Sequence, residues 1–251
     1  MPESDAKAAT LQPRGEILIE AAVPPKPSSD TFHPIAKLWH TSLVLAVIGL
    51  SAFRGWARSG QMRASIHPDR ITIYQRTILF ELLVLGLVLA GVWLSGSPLR
   101  AVLGDRWRSA GQFLRDLGIG LVFLVVTIVV SSVVGSHGGG EDSATQFLLP
   151  KGRIELVLWV ALSITAGICE EAVYRGYLQK QFMALTRNVP AGIILSALVF
   201  GGAHSYQGLA HASVIGVLGA LSGVLAYWCR SVRPGMIAHT LQDVLGGFIR
   251  H

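Results

Sequence analysis

The stretch Gly167-Ile168-Cys169-Glu170-Glu171-Ala172-Val173-Tyr174-Arg175-Gly176 decides how this chain is read. It lies inside the long apolar run that begins near Ile154, so two carboxylates and a guanidinium stand where a membrane would hold hydrocarbon. Ionisable groups at that depth are costly, and each calls for a partner or a function. With about 100° between successive helical residues, Arg175 falls on nearly the same face as Glu171 and can pair with it. Glu170 points about 100° away and is left free for chemistry. The pattern predicts a supporting ion pair beside a working glutamate.

The composition agrees with a membrane setting. The 251 residues are 51% hydrophobic and 14% charged, with a mean hydropathy of +0.51. A soluble domain carries about 25% charged residues, so a soluble core of this size is disfavoured. The net charge of +6 fits basic loops facing anionic lipid. No basic patch is interleaved with aromatics, which excludes nucleic acid as an expected partner. Cys169 lies within one predicted span and Cys229 at the end of another, and neither belongs to a disulfide framework or a CxxC metal knuckle.

Three regions follow. Residues 1–30 are polar and proline-rich, densest at Val23-Pro24-Pro25-Lys26-Pro27, and read as a disordered tail with no signal peptide. Residues 31–153 hold N-terminal membrane helices and loops, and residues 154–251 a C-terminal membrane domain. The expected fold is all-α, a polytopic transmembrane helix bundle of about seven spans. The first three are about Leu38–Phe53, Thr77–Leu94 and Gln112–Val134. A Gly-rich loop from Gly135 to Gly152 contains Gly138-Gly139-Gly140 and lacks the ending of a phosphate loop. The fourth helix runs from near Arg153 towards Leu185, and its end, Gln179-Lys180-Gln181, is expected to leave the membrane. The last three are about Ala191–His204, Leu209–Trp228 and Gly235–Ile249, the final one opened by Arg233-Pro234. Arginines crowd both the first and the second loop, so the positive-inside rule gives no orientation, and the first span can also be read as a surface helix. Ala212, Gly216 and Ala220, with Gly219 and Gly223, form small-residue faces suited to close helix packing.

Two further polar sites follow the glutamates. Phe200-Gly201-Gly202-Ala203-His204 places Phe200 and His204 on one helical face, and His239-Thr240-Leu241-Gln242-Asp243 does the same for His239 and Asp243. Taken singly, such a histidine is more often a structural hydrogen-bonder, and Glu171–Arg175 more often a support. Together in apolar helices they point to an active site. Two chemistries are open. Glu170 with His204 can deprotonate a water while His239 and Asp243 stabilise an oxyanion. The same residues can instead ligate a zinc that activates the water, although neither HExxH nor HxxEH occurs.

The series Glu-Glu-x-x-x-Arg, Phe-x-x-x-His and His-x-x-x-Asn/Asp, with Arg-Gly-Tyr-Leu-Gln running from Arg175 to Gln179, resembles the CPBP intramembrane proteases. That group includes the type II CAAX prenyl endopeptidases and bacteriocin-processing or self-immunity proteins. The resemblance covers about Ile154 to Gly247. It implies a general base at Glu170, its supporting pair at Glu171 and Arg175, a water-activating histidine at His204, and oxyanion groups at His239 and Asp243. Some members have Asn at the last position, where an amide can donate. Asp243 donates only if protonated, so here it orients His239 or serves as a metal ligand. The implied activity is intramembrane endopeptidase, acting on a peptide or protein substrate that can be a prenylated CAAX terminus. No cofactor is required, zinc stays open, and the expected location is multi-pass within a lipid bilayer, the cell membrane in a prokaryote. The competing readings are a non-catalytic scaffold or self-immunity protein and a proton-coupled transporter. No internal repeat supports the transporter.

Overall fold

In the computed structural model the described residues are 27, 29–64, 68–136 and 146–249. The expected disordered tail, up to its last few residues, and the Gly138-Gly139-Gly140 loop lie outside them. Among the described residues all regular structure is helical, as expected. The long helices are α1 (Leu38–Ala64), α2 (Arg70–Leu94), α4 (Ala110–Ser136), α5 (Arg153–Glu170), α7 (Val189–Ala203), α8 (Leu209–Cys229) and α9 (Arg233–Ile249). Shorter pieces are α3 (Arg100–Leu103) and α6 (Gln179–Thr186), with a π-helical segment over Glu171–Leu178 joining α5 to α6.

Among the described residues five segments are long and apolar enough to cross a membrane: Leu38–Gln61, Arg70–Leu94, Ala110–Val134, Arg153–Thr186 and Leu209–Cys229. The shorter Val189–Ala203 is apolar as well, and a count of seven requires both it and α9. The protein is thus an integral, multi-pass membrane bundle. Its outward faces are what lipid requires: Leu114, Val122, Val125 and Val129 of α4 are exposed.

Helix ends differ from the sequence reading where charge was taken as a stop. The first helix does not end at Phe53 but runs on through Arg54 and Arg58. Arginine is a good helix former, and its long side chain can carry the charge beyond the apolar surface. Arg70 and Arg76 likewise lie inside α2, which starts where the Asp69 side chain accepts from the Thr72 amide. α7 opens with Asn188 accepting from the Ala191 amide and Pro190 in the first turn.

The polar stretch Gln179-Lys180-Gln181, expected to leave the membrane, is packed into the protein. Gln179 and Gln181 are buried. Gln181 accepts from the Ile35 amide at 2.8 Å and donates to the Ala36 carbonyl and to Thr41 Oγ1, while Lys180 donates to the Ala101 carbonyl at 2.6 Å. These polar groups satisfy the backbone where the chain enters α1 and at α3, which hydrocarbon could not do.

α2 runs parallel to α5. Arg70 pairs with Glu155 at 3.8 Å, and four residues on in both helices the Tyr74 and Trp159 rings meet at 5.7 Å. Tyr74 also donates to the Leu148 carbonyl, closing the lower end of this pair.

Two contacts set the spacing of the C-terminal helices. A Cβ on Gly167 would lie 2.8 Å from the Thr240 amide nitrogen, so α5 and α9 approach to backbone contact there. A Cβ on Gly201 would lie 2.7 Å from the Ala212 carbonyl, so the small-residue face read in α8 does receive α7. Gly167→Ala must push α9 away by its backbone. We expect it to lower stability by about 1–3 kcal/mol, read as an earlier thermal unfolding of detergent-solubilised protein. An unchanged unfolding temperature would show that α9 yields freely.

Candidate active site

Glu170 is the last residue of α5, and the π-helical segment starts at its neighbour Glu171. Bonding i→i+5 in place of i→i+4 leaves backbone groups displaced, and such segments recur at functional sites. Here Ser196 of α7 donates to the Tyr174 carbonyl at 2.7 Å. Tyr177 lies against His40 Nδ1 at 2.7 Å and Thr41 Oγ1 at 3.1 Å. The sequence reading took the whole stretch as regular α-helix and did not find this change of winding, which no residue pattern announces.

The pair foreseen between Glu171 and Arg175 is present, with Glu171 Oε1 to Arg175 Nη1 at 3.2 Å and both side chains buried. Arg175 reaches further than its partner. Its Nη2 donates to the Gly219 carbonyl of α8 at 3.3 Å, and its guanidinium lies 4.2 Å from the centre of the Phe200 ring of α7. One cation therefore ties three helices together.

The histidines converge on Glu170. His204, directly after α7, puts Nε2 3.9 Å from Glu170 Oε1. Its Nδ1 lies 2.9 Å from the Phe200 carbonyl. A carbonyl only accepts, so Nδ1 carries the hydrogen and, in the neutral ring, Nε2 keeps its lone pair for Glu170's side of the chamber. The ring also stands edge-on to Phe200, 4.8 Å between centres. The distance of 3.9 Å is too long for a direct hydrogen bond and suits one bridging water.

His239 of α9 meets three carboxylates. Nδ1 is 3.4 Å from Glu171 Oε1, and Nε2 is 3.6 Å from both Glu170 Oε2 and Asp243 Oδ2. Glu170 is thus flanked by two imidazoles and is not the isolated group that helical angles implied. Glu171 supports His239 as well as Arg175, a link that sequence spacing could not reveal. Asp243 sits beside His239 at i+4 as expected, and its carbonyl accepts from Trp159 Nε1 of α5 at 2.9 Å. All six predicted residues, Glu170, Glu171, Arg175, His204, His239 and Asp243, fall in one contiguous cluster.

Several neighbours escaped the sequence reading. Tyr206 stacks on His204 with 6.2 Å between ring centres and takes a hydrogen bond from Gln207. Burial pushes the Tyr206 phenol up to about 12, the Gln207 bond opposing and Glu170 reinforcing, so it stays neutral. Trp159 carried no signal. Glu81 did: it is an acidic residue within the apolar run of α2, and the rule that singled out Glu170 applies to it equally.

Among the described residues no group of three or more His, Cys, Asp or Glu side chains is arranged to hold a metal ion.

An apolar cavity of about 1370 Å³ lies against the same two helices. Ile168 of α5 and Thr240 of α9 line it, and Arg100, Arg106 and Arg108 stand on its wall beside Trp107.

No curated protein and no solved structure matches the chain. Residues 152–245, which carry α5 to α9 up to and including Asp243 and all six clustered side chains, match the family described as Type II CAAX prenyl endopeptidase Rce1-like, the same group that the three motifs resemble.

Proposed function

We propose that this protein is an intramembrane endopeptidase that hydrolyses a peptide bond with a water held between Glu170 and His204. The observation that carries the reading is the convergence of His204 and His239, from separate elements, on Glu170. A water between Glu170 and His204 Nε2 donates one hydrogen to each, which turns its oxygen lone pair towards a carbonyl carbon. Glu170 takes the proton as the bond forms. His239, polarised by Glu171 and Asp243, then faces the oxyanion with its Nε2 hydrogen. Collapse of the tetrahedral intermediate returns the proton from Glu170 to the leaving amine, so the glutamate ends as it began.

The substrate we assign is a lipid-modified peptide, a prenylated CAAX terminus being the type implied by the family match. The apolar cavity beside Ile168 and Thr240 offers room for a hydrocarbon chain, and its arginines offer cations for a peptide carboxylate. A scaffold would need neither the paired imidazoles nor the charges buried beneath them.

The test is cleavage of a prenylated CAAX reporter by protein purified into lipid vesicles, wild type beside His204→Ala, with and without a strong chelator. Wild type is expected to release product at a rate the chelator leaves unchanged, and His204→Ala to be slower by about 10²–10⁴-fold. Cleavage lost with chelator and restored by zinc would replace the metal-free step by a metal-bound one. No cleavage of either prenylated or unprenylated reporter would favour the scaffold.

A further inference from the structure

Glu81 belongs to α2, outside the family-matched residues 152–245, and is the single acidic residue of that helix. The parallel register of α2 and α5 carries it to the site. Glu81 stands two turns beyond Tyr74, and Glu170 three turns beyond Trp159, the partner of Tyr74, so the two glutamates differ in height by about one turn. Glu81 is buried at 9% exposure, and it interacts electrostatically with Glu170 foremost, then with His239 and Asp243. Its Oε2 is buried without a hydrogen-bond partner.

The charges of the chamber do not balance. Glu81, Glu170, Glu171 and Asp243 face one guanidinium, Arg175, and the imidazoles of His204 and His239. Even with both imidazoles protonated, one carboxylate is in excess. Glu171 has Arg175 and His239, Glu170 has both imidazoles, and Asp243 has His239 and is 37% exposed. Glu81 has no cation at ion-pair distance among the described residues. A buried carboxyl without partner or solvent sheds its charge by keeping its proton.

We propose that Glu81 is a neutral carboxylic acid that positions Glu170, donating a hydrogen bond that keeps the base ionised and aimed between its two histidines. The unpartnered oxygen then becomes a donor in a chamber otherwise crowded with acceptors. An ionised carboxylate beside a protonated one is how two acids share a water-poor site. The role rests on the protease reading for its kinetic consequence, but the protonation of Glu81 does not.

Two measurements separate them. The first is the infrared carbonyl band of a neutral carboxylic acid, taken as the difference between wild type and Glu81→Gln in vesicles. A band present in wild type and missing in Glu81→Gln is expected. Identical spectra would overturn the proposal, whatever the protein cleaves. The second is the reporter assay with Glu81→Leu and Glu81→Gln, each first shown to unfold at the wild-type temperature. Glu81→Leu is expected to lower kcat by about tenfold or more with KM little changed, because a misaligned base slows chemistry and leaves binding intact. Glu81→Gln, whose amide still donates, is expected to recover most of that loss. Full activity in Glu81→Leu, or equal loss in both variants, would each overturn the positioning role. If the wild type cleaves no reporter, the protease reading fails, and the infrared band still decides on Glu81.

Discussion

Glu170→Gln is expected to reduce kcat by about 10²–10⁴-fold while leaving the unfolding temperature of the purified protein unchanged. The amide keeps the volume and the hydrogen-bonding reach of the carboxylate, so the contacts of the chamber survive. It cannot accept a proton, and in the proposed step no other group is placed to do so with the same partners. His204 Nε2 and His239 Nε2, at 3.9 and 3.6 Å, both face the Glu170 carboxylate, and in the variant they face an amide that takes up no proton. The measurement is reporter cleavage under saturating substrate, paired with thermal unfolding. A rate within about threefold of wild type would remove Glu170 from the reaction. A parallel fall in stability would make it structural. Because Glu170 and His204 act on one water, the double variant should be little slower than either single one.

Arg175→Ala is expected to destabilise the bundle by about 3–5 kcal/mol, the cost of leaving a buried charge without its partner. Glu171 is 1% exposed, and its carboxylate lies 3.2 Å from Arg175 and 3.4 Å from His239. The loss also removes the strut from Phe200 to Gly219, which connects α7 and α8 to the π-helical segment. Folded yield in detergent and the unfolding temperature should both fall. Arg175→Met combined with Glu171→Gln removes both charges at nearly constant volume and is expected to restore much of the stability. The double variant should still cleave poorly, since Glu171 also faces His239 Nδ1. Normal stability in Arg175→Ala, with activity lost, would place Arg175 in the reaction itself.

How much of this could be read in advance follows from the range of each interaction. Contacts between residues three or four apart on one helix are local, and they were legible: Glu171 with Arg175, Phe200 with His204, and His239 with Asp243 all meet as their spacing requires. Helix ends were less legible, because arginine both marks an interface and favours helix, so α1 and α2 extend beyond their apolar runs. The burial of Gln179 and Gln181 was not legible at all, since their partners lie near residues 35–41 and at Gly223, remote in the chain.

The amino-acid sequence by itself determined that this is a helical membrane protein with charge buried in its C-terminal helices, because desolvation and helical periodicity act within a single segment. Only the tertiary structure decided what surrounds Glu170. Gly167 against Thr240 and Gly201 against Ala212 let the backbones approach, and that approach brings His204 and His239 to one carboxylate. The parallel register of α2 with α5 adds Glu81 from outside the matched segment. Those distances depend on how helices far apart in the chain pack, and close packing of small residues carries no address in the sequence of either helix.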